Sequence, residues 1–118
     1  MADFSTTHRT VQSIHIIDLN GYLDAHTAPI LEKEIGALVE QGMNAIIVNF
    51  RGLDYISSAG LGVFMVFIEQ IRDRGGDIKL AAMTEKVFTV FDLLGFPMLF
   101  DITDTEDDAI VKFTAATT

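Results

Sequence analysis

The stretch NAIIVNFRGLDYISSAGLGVF, residues 44–64, decides how the chain is read. Asn44 to Phe50 is a short apolar run of strand length, the kind buried on both faces of a parallel sheet. RGLDYI then reads as a loop. From Ser57 or Ser58 onward, Leu61, Phe64, Ile68 and Ile71 recur at helical spacing, and Gly75-Gly76 ends that helix. The two serines therefore stand where a strand hands over to a helix N-terminus. In open α/β sheets that edge is where ligands and partners meet the protein. A helix start also presents free N–H groups and a partial positive charge.

Strand and helix patterns alternate on both sides of this unit. Val11 to Leu19 is rich in β-branched residues and is expected to end at Asn20-Gly21. A weaker strand over Phe4 to Arg9 is expected to pair with it, antiparallel, at a sheet edge. TAPILEKEIGALVEQG reads as a helix capped by Thr27, with Pro29 in its first turn, an apolar stripe of Leu31, Ile35, Leu38 and Val39, and Gly42 just past its end. DIKLAAM is the next strand. TEKVFTVFDLLG is a helix capped by Thr84, with Val87, Phe88, Phe91 and Leu94 inward. PMLFDI is a last strand, and Thr103 with Glu106 forms a capping box for an acidic-fronted final helix. The tail from Ala115 to Thr118 is expected to fray. The order β-β-α-β-α-β-α-β-α implies an α/β fold with a single mixed, mainly parallel sheet and crossover helices. No repeat or linker divides residues 1–118, so one domain with a core over about 4–113 is expected.

The bulk composition narrows the function. A chain of 118 residues, 49% apolar with 9 Phe and 5 Met, can bury a core without staples. It has no cysteine, so disulfides and thiol chemistry are excluded. Seventeen acids against 8 bases give a net charge of −9. That disfavours nucleic acid and anionic membrane surfaces as partners. The longest apolar run, Ala59 to Ile68, is about half a membrane span. Met1 to Ser5 lacks the pattern of a signal peptide, and a soluble, cytoplasmic protein is expected.

Three readings of the serines compete with a simple helix cap, which either Ser57 or Ser58 can supply. Ser58-Ala59-Gly60 matches half of a nucleophile elbow, but Ile56 stands where the first Gly belongs, and His8, His15 and His26 all precede Ser58. Gly60-Leu61-Gly62 lacks the remainder of a phosphate-binding loop. A phosphoacceptor serine is the third reading. There the helix N-terminus tolerates the phosphate while a flush interface does not, which yields a binding switch that leaves the fold intact. Electrostatics alone does not choose between cap and acceptor.

NGYLDAHTAPILEKEI, AIIVNFRGLDYISSAGLGVF and GGDIKLAAMTEKVFTVFDLLGF together resemble the STAS domain of bacterial anti-sigma factor antagonists, over roughly residues 4 to 113. The resemblance implies a STAS fold and a regulatory, non-enzymatic protein. The unmodified antagonist would bind an anti-sigma factor, a serine kinase of the histidine-kinase-like ATPase fold, and so free a sigma factor. Phosphorylation would release it, and a serine phosphatase would reset it. The acceptor lands on Ser58, with Ser57, where many members carry Asp, as the second candidate. Asp24 matches a family acid near the partner-facing loop. Asp24, Tyr55, Ser57, Ser58, Gly60, Leu61 and Gly62 are the expected partner surface. No cofactor and no metal cluster is expected, His15 reads as a packed edge residue and His26 as a loop residue, and a monomer is the default. Related STAS domains serve as scaffolds in transport or stressosome assemblies, and that is the alternative.

Overall fold

A computed structural model describes residues 4–115. The elements are β1 (Phe4–Val11), β2 (Ile14–Leu23), α1 (Ala28–Glu40), β3 (Ala45–Ile56), α2 (Ser58–Asp73), β4 (Asp77–Ala81), α3 (Glu85–Leu93), a 3-10 turn (Phe96–Met98), β5 (Ile102–Thr103) and α4 (Glu106–Ala115). The five strands lie in one sheet in the order β1-β2-β3-β4-β5. β1 pairs antiparallel with β2 at the edge, and the other pairs are parallel. This is the expected mixed α/β fold.

The strand order explains where the helices go. Each crossover from β2 to β5 moves one strand in the same direction. Right-handed crossovers then put α1, α2 and α3 on a single face. Their inward residues, among them Leu31, Ile35, Phe64, Ile71, Val87 and Phe91, share one core with Ile17, Leu19, Ile46, Val48 and Phe50 of the sheet. Phe50 meets Phe91 edge-on with ring centroids 5.3 Å apart, and Phe91 meets Phe96 the same way. α4 follows the last strand, is free of that rule, and covers the opposite face. There Ala109 packs with Ile14, Ile16, Ile47 and Ala81. β3 is thus buried on both sides, as its apolar run requires.

Several boundaries differ from the sequence reading. The first strand runs on to Val11, because Gln12 and Ser13 both take positive φ and close a two-residue hairpin. β2 does not stop at Asn20-Gly21. Register shifts there, with Gly21 at φ 95°, absorb the irregularity and carry the strand on to Leu23. RGLDYI is no loop: it continues β3 against the end of β2, through Gly52–Asn20 and Tyr55–Tyr22. β4 ends at Ala81, since Ala82 turns to φ 63°. PMLFDI is mostly not strand; Pro97 sits in the 3-10 turn, and only Ile102 and Thr103 pair. In α3, Val87 and Phe91 are buried, but Phe88, and Leu94 just past the helix end, are exposed. Thr105, not Thr103, caps α4, its Oγ1 accepting from the amide of Asp108 at 3.1 Å. Thr103 is taken up by β5. Of the tail expected to fray, residues 116–118 lie outside the described residues.

Charge clamps the N-terminus of α4. Arg9 donates to both oxygens of Asp18, at 2.7 and 2.8 Å, and also to Glu106, which accepts from Asn49 at 2.9 Å. The Arg9 hydrogen bonds are the main reason that the carboxyls of Asp18 and Glu106 lie below their usual range. Both groups protonate more readily in the unfolded chain. Their stabilisation is therefore complete above about pH 5 and is lost as the pH falls through the lowered folded values. Thermal melts of wild type and Glu106→Gln check this. Wild type should melt higher at neutral pH, and the two curves should converge in acid.

Candidate functional site

β2 and β3 end side by side, with Leu23 opposite Ile56. The amide of Ser57 donates to the carbonyl of Leu23 at 2.9 Å, which ties the start of α2 to the end of β2. Ser57 is in extended backbone, and its Oγ accepts from the amide of Gly60 at 3.4 Å. Ser57 is the helix cap. Ser58 is the first residue of α2 and is exposed, and its hydroxyl has no hydrogen-bond partner among the described residues. The doublet thus divides into one hydroxyl that is used and one that is free.

The glycines differ in the same way. A Cβ on Gly60 would lie 2.8 Å from Leu23 Cγ and 3.0 Å from the Leu23 carbonyl, so only Gly lets α2 start this close to β2. Gly62 has nothing within 4 Å of such a Cβ and is exposed. Gly60 and Leu61, expected at the partner surface, point inward instead. Leu61 is 2% exposed and belongs to the main core. They position the helix rather than offer contacts.

Asp24 lies in the β2–α1 loop and is half-buried. Its Oδ1 accepts from the amides of His26 at 2.9 Å and Thr27 at 3.2 Å. Desolvation pushes its carboxyl up, but these hydrogen bonds outweigh that and hold it below its usual range. Thr27 does not cap α1 through its side chain. Its Oγ1 donates to the Tyr22 carbonyl at 2.8 Å and accepts from the Asp24 amide at 2.9 Å. The two residues brace the loop together.

Tyr55 is exposed, as expected, and Ile56 is core. The sequence reading missed Tyr22. It is 48% exposed and lies opposite Tyr55, with ring centroids 5.9 Å apart. The miss follows from ending β2 at Asn20 and reading RGLDYI as a loop. Continued strands would have paired the two tyrosines. Along α2, Ser58, Gly62, Met65 and Val66 recur at helical spacing and are all exposed, which gives an apolar stripe leading away from the free hydroxyl.

Among the described residues no group of three or more His, Cys, Asp or Glu is placed to hold a metal ion. No described helix is long and apolar enough to cross a membrane. An open cleft of about 990 Å³ is lined by Arg9, Asp18, Asn49, Arg51 and Glu106 among others, and it includes none of the site residues.

The different roles of the serines and of Gly60 can be measured by urea unfolding. Ser57→Ala should cost about 1 kcal/mol for the lost cap, and Ser58→Ala well under about 0.5 kcal/mol. Gly60→Ala should cost about 1–3 kcal/mol, because the added methyl meets backbone.

The chain is similar to known proteins along most of its length. The family model for the STAS domain matches residues 6–109. BtrV of Bordetella bronchiseptica is 31% identical over 106 residues, covering 90% of this chain and 91% of that protein. The anti-sigma-B factor antagonist of Bacillus subtilis is 29% identical over 94 residues, covering 80% of this chain and 85% of that protein. Unphosphorylated SpoIIAA, an anti-sigma factor antagonist, superposes with a TM-score of 0.80 at 24% identity, over 94% of this chain and 97% of the other. The family model spans most of the chain and the sheet agrees with the fold of the superposed neighbour, and the chain belongs to the STAS domain family.

Proposed function

We propose that this chain is an anti-sigma factor antagonist that works by partner switching, with Ser58 as its phosphate acceptor. The observation that carries the reading is the free Ser58 hydroxyl at the head of the exposed α2 face, beside a Ser57 hydroxyl already occupied as the cap. Phosphate on Ser58 adds about −1.5 to −2 charges. The first-turn amides and the helix dipole accept it, so the fold survives. A partner seated on the Met65 and Val66 stripe would have to desolvate that charge, so it lets go. The unmodified chain binds an anti-sigma factor that is itself a serine kinase of the histidine-kinase-like ATPase fold, and so frees a sigma factor. A serine phosphatase restores the unmodified form. The protein acts in the cytoplasm as a monomer and catalyses nothing itself. Asp24, Tyr55, Tyr22 and Gly62 frame the contact around Ser58. The name of the Bacillus subtilis relative supports the antagonist role, and the existence of a phosphorylated form of SpoIIAA supports a modified state of this fold.

The test is capture from lysate of the native organism with wild type, Ser58→Ala and Ser58→Asp as baits. Wild type and Ser58→Ala should retain a protein of the kinase-like ATPase type, and Ser58→Asp should lose it. Incubating wild type with the captured kinase and ATP should place phosphate on Ser58 and not Ser57, read by peptide mass spectrometry. If all three baits hold the same proteins, the domain is a scaffold and Ser58 is no switch.

A further inference from the structure

The β1–β2 hairpin carries two histidines that neither the fold nor the serine site uses. His8 lies opposite Ile17, and His15 lies opposite Thr10. They are therefore diagonal neighbours on one face of the pair. His8 Nε2 and His15 Nδ1 are 2.8 Å apart, with ring centroids at 5.0 Å and planes only 23° apart. The rings meet edge to edge, with one nitrogen of each aimed at the other. The remaining nitrogens, His8 Nδ1 and His15 Nε2, have no partner among the described residues. His8 is exposed, and His15 is half-buried.

We infer that His8 and His15 form a two-imidazole chelate for a late first-row divalent cation, clamping the edge hairpin. In the empty state a proton occupies the space between the two nitrogens. The cation takes that place: the bridging proton moves through solvent to the other nitrogen of its own ring, so both rings stay neutral, with their protons on His8 Nδ1 and His15 Nε2, and no net proton is released. Water fills the other coordination positions. Two nitrogens bound cis at about 2.0–2.1 Å stand roughly 2.9 Å apart at a right angle and roughly 3.3 Å apart at the tetrahedral angle. The 2.8 Å of the empty, hydrogen-bonded pair is shorter than either value, so the hydrogen bond opens and the rings turn when the ion enters. Two imidazole nitrogens suit Ni²⁺, Cu²⁺ or Zn²⁺, and they have nothing to offer the oxygen-seeking Mg²⁺ or Ca²⁺. The exposed His8 ring is free to turn so that both lone pairs converge on the ion.

The position makes this site independent of the serine. His15 faces Ile46 at the first rung between β2 and β3, and Leu23 faces Ile56 at the last. At strand spacing the two ends are roughly 26 Å apart. The chelate would tie down the sheet edge and would not touch the Ser58 face.

The experiment uses the full chain without a polyhistidine tag and titrates it calorimetrically with Ni²⁺ alone. Wild type and Ser58→Asp should bind one ion with equal affinity. His8→Asn should weaken binding by about tenfold or more, and His26→Asn should leave it unchanged. Circular dichroism checks that His8→Asn folds, and His15→Asn serves as the second variant. In NMR spectra, substoichiometric Cu²⁺ should broaden the His8 and His15 ring signals before those of His26. If wild type binds no Ni²⁺, if His8→Asn and His15→Asn bind it as tightly as wild type, or if His26 broadens equally, there is no chelate.

Discussion

Everything in this molecule depends on the unreversed strand order. Because each parallel strand is added on the same side of the last, handedness commits three helices to one face of the sheet. That face acquires a deep aromatic core, with Phe50, Phe64, Phe91, Phe96 and Phe100 in mutual ring contact. The other face has a single helix to cover it. The central strand β3 must satisfy both, and it does so with Ile46, Val48 and Phe50 on one side and Ile47 on the other.

The thinner face compensates with charge. α4 contributes little apolar area, and ionic groups hold it at both ends. Arg9 joins Asp18 to Glu106 at its start. Lys79, nearly buried, is paired with Asp77 at 3.0 Å and Asp101 at 2.7 Å and lies 4.8 Å from the Phe113 ring near its end. A buried ammonium without such partners would be costly, so the pairing orients the helix as well as neutralising the charge. Local pairings of this kind coexist with a net charge of −9 on the whole chain.

The serine site uses the same economy of contacts at the sheet's carboxyl edge. Leu23 is the pivot. Its carbonyl accepts from the Ser57 amide, and its side chain leaves room only for Gly60. α2 is thereby docked by backbone and glycine, and Ser57 completes the cap. Ser58 has no structural task left, and its hydroxyl stays at the surface.

Periodicity in the chain alone determined the element order, the antiparallel edge pair, the inward stripe of α1 and the start of α2. These follow from local apolar spacing and turn residues, which act within a few positions of themselves. The family resemblance rested on residues of the same local kind. Other features are decided between distant segments. RGLDYI becomes strand only because the bulged end of β2 lies beside it, and Tyr22 meets Tyr55 only through that pairing. Which serine caps the helix was open in the sequence, since both are good caps, and contact with Leu23 settled it. The inward turn of Leu61, the exposure of Phe88 and Leu94, and the approach of His8 to His15 were likewise tertiary outcomes. The reason is physical: a residue's own pattern states that it wants burial or a partner, but only the packed sheet and helices determine which one is within reach.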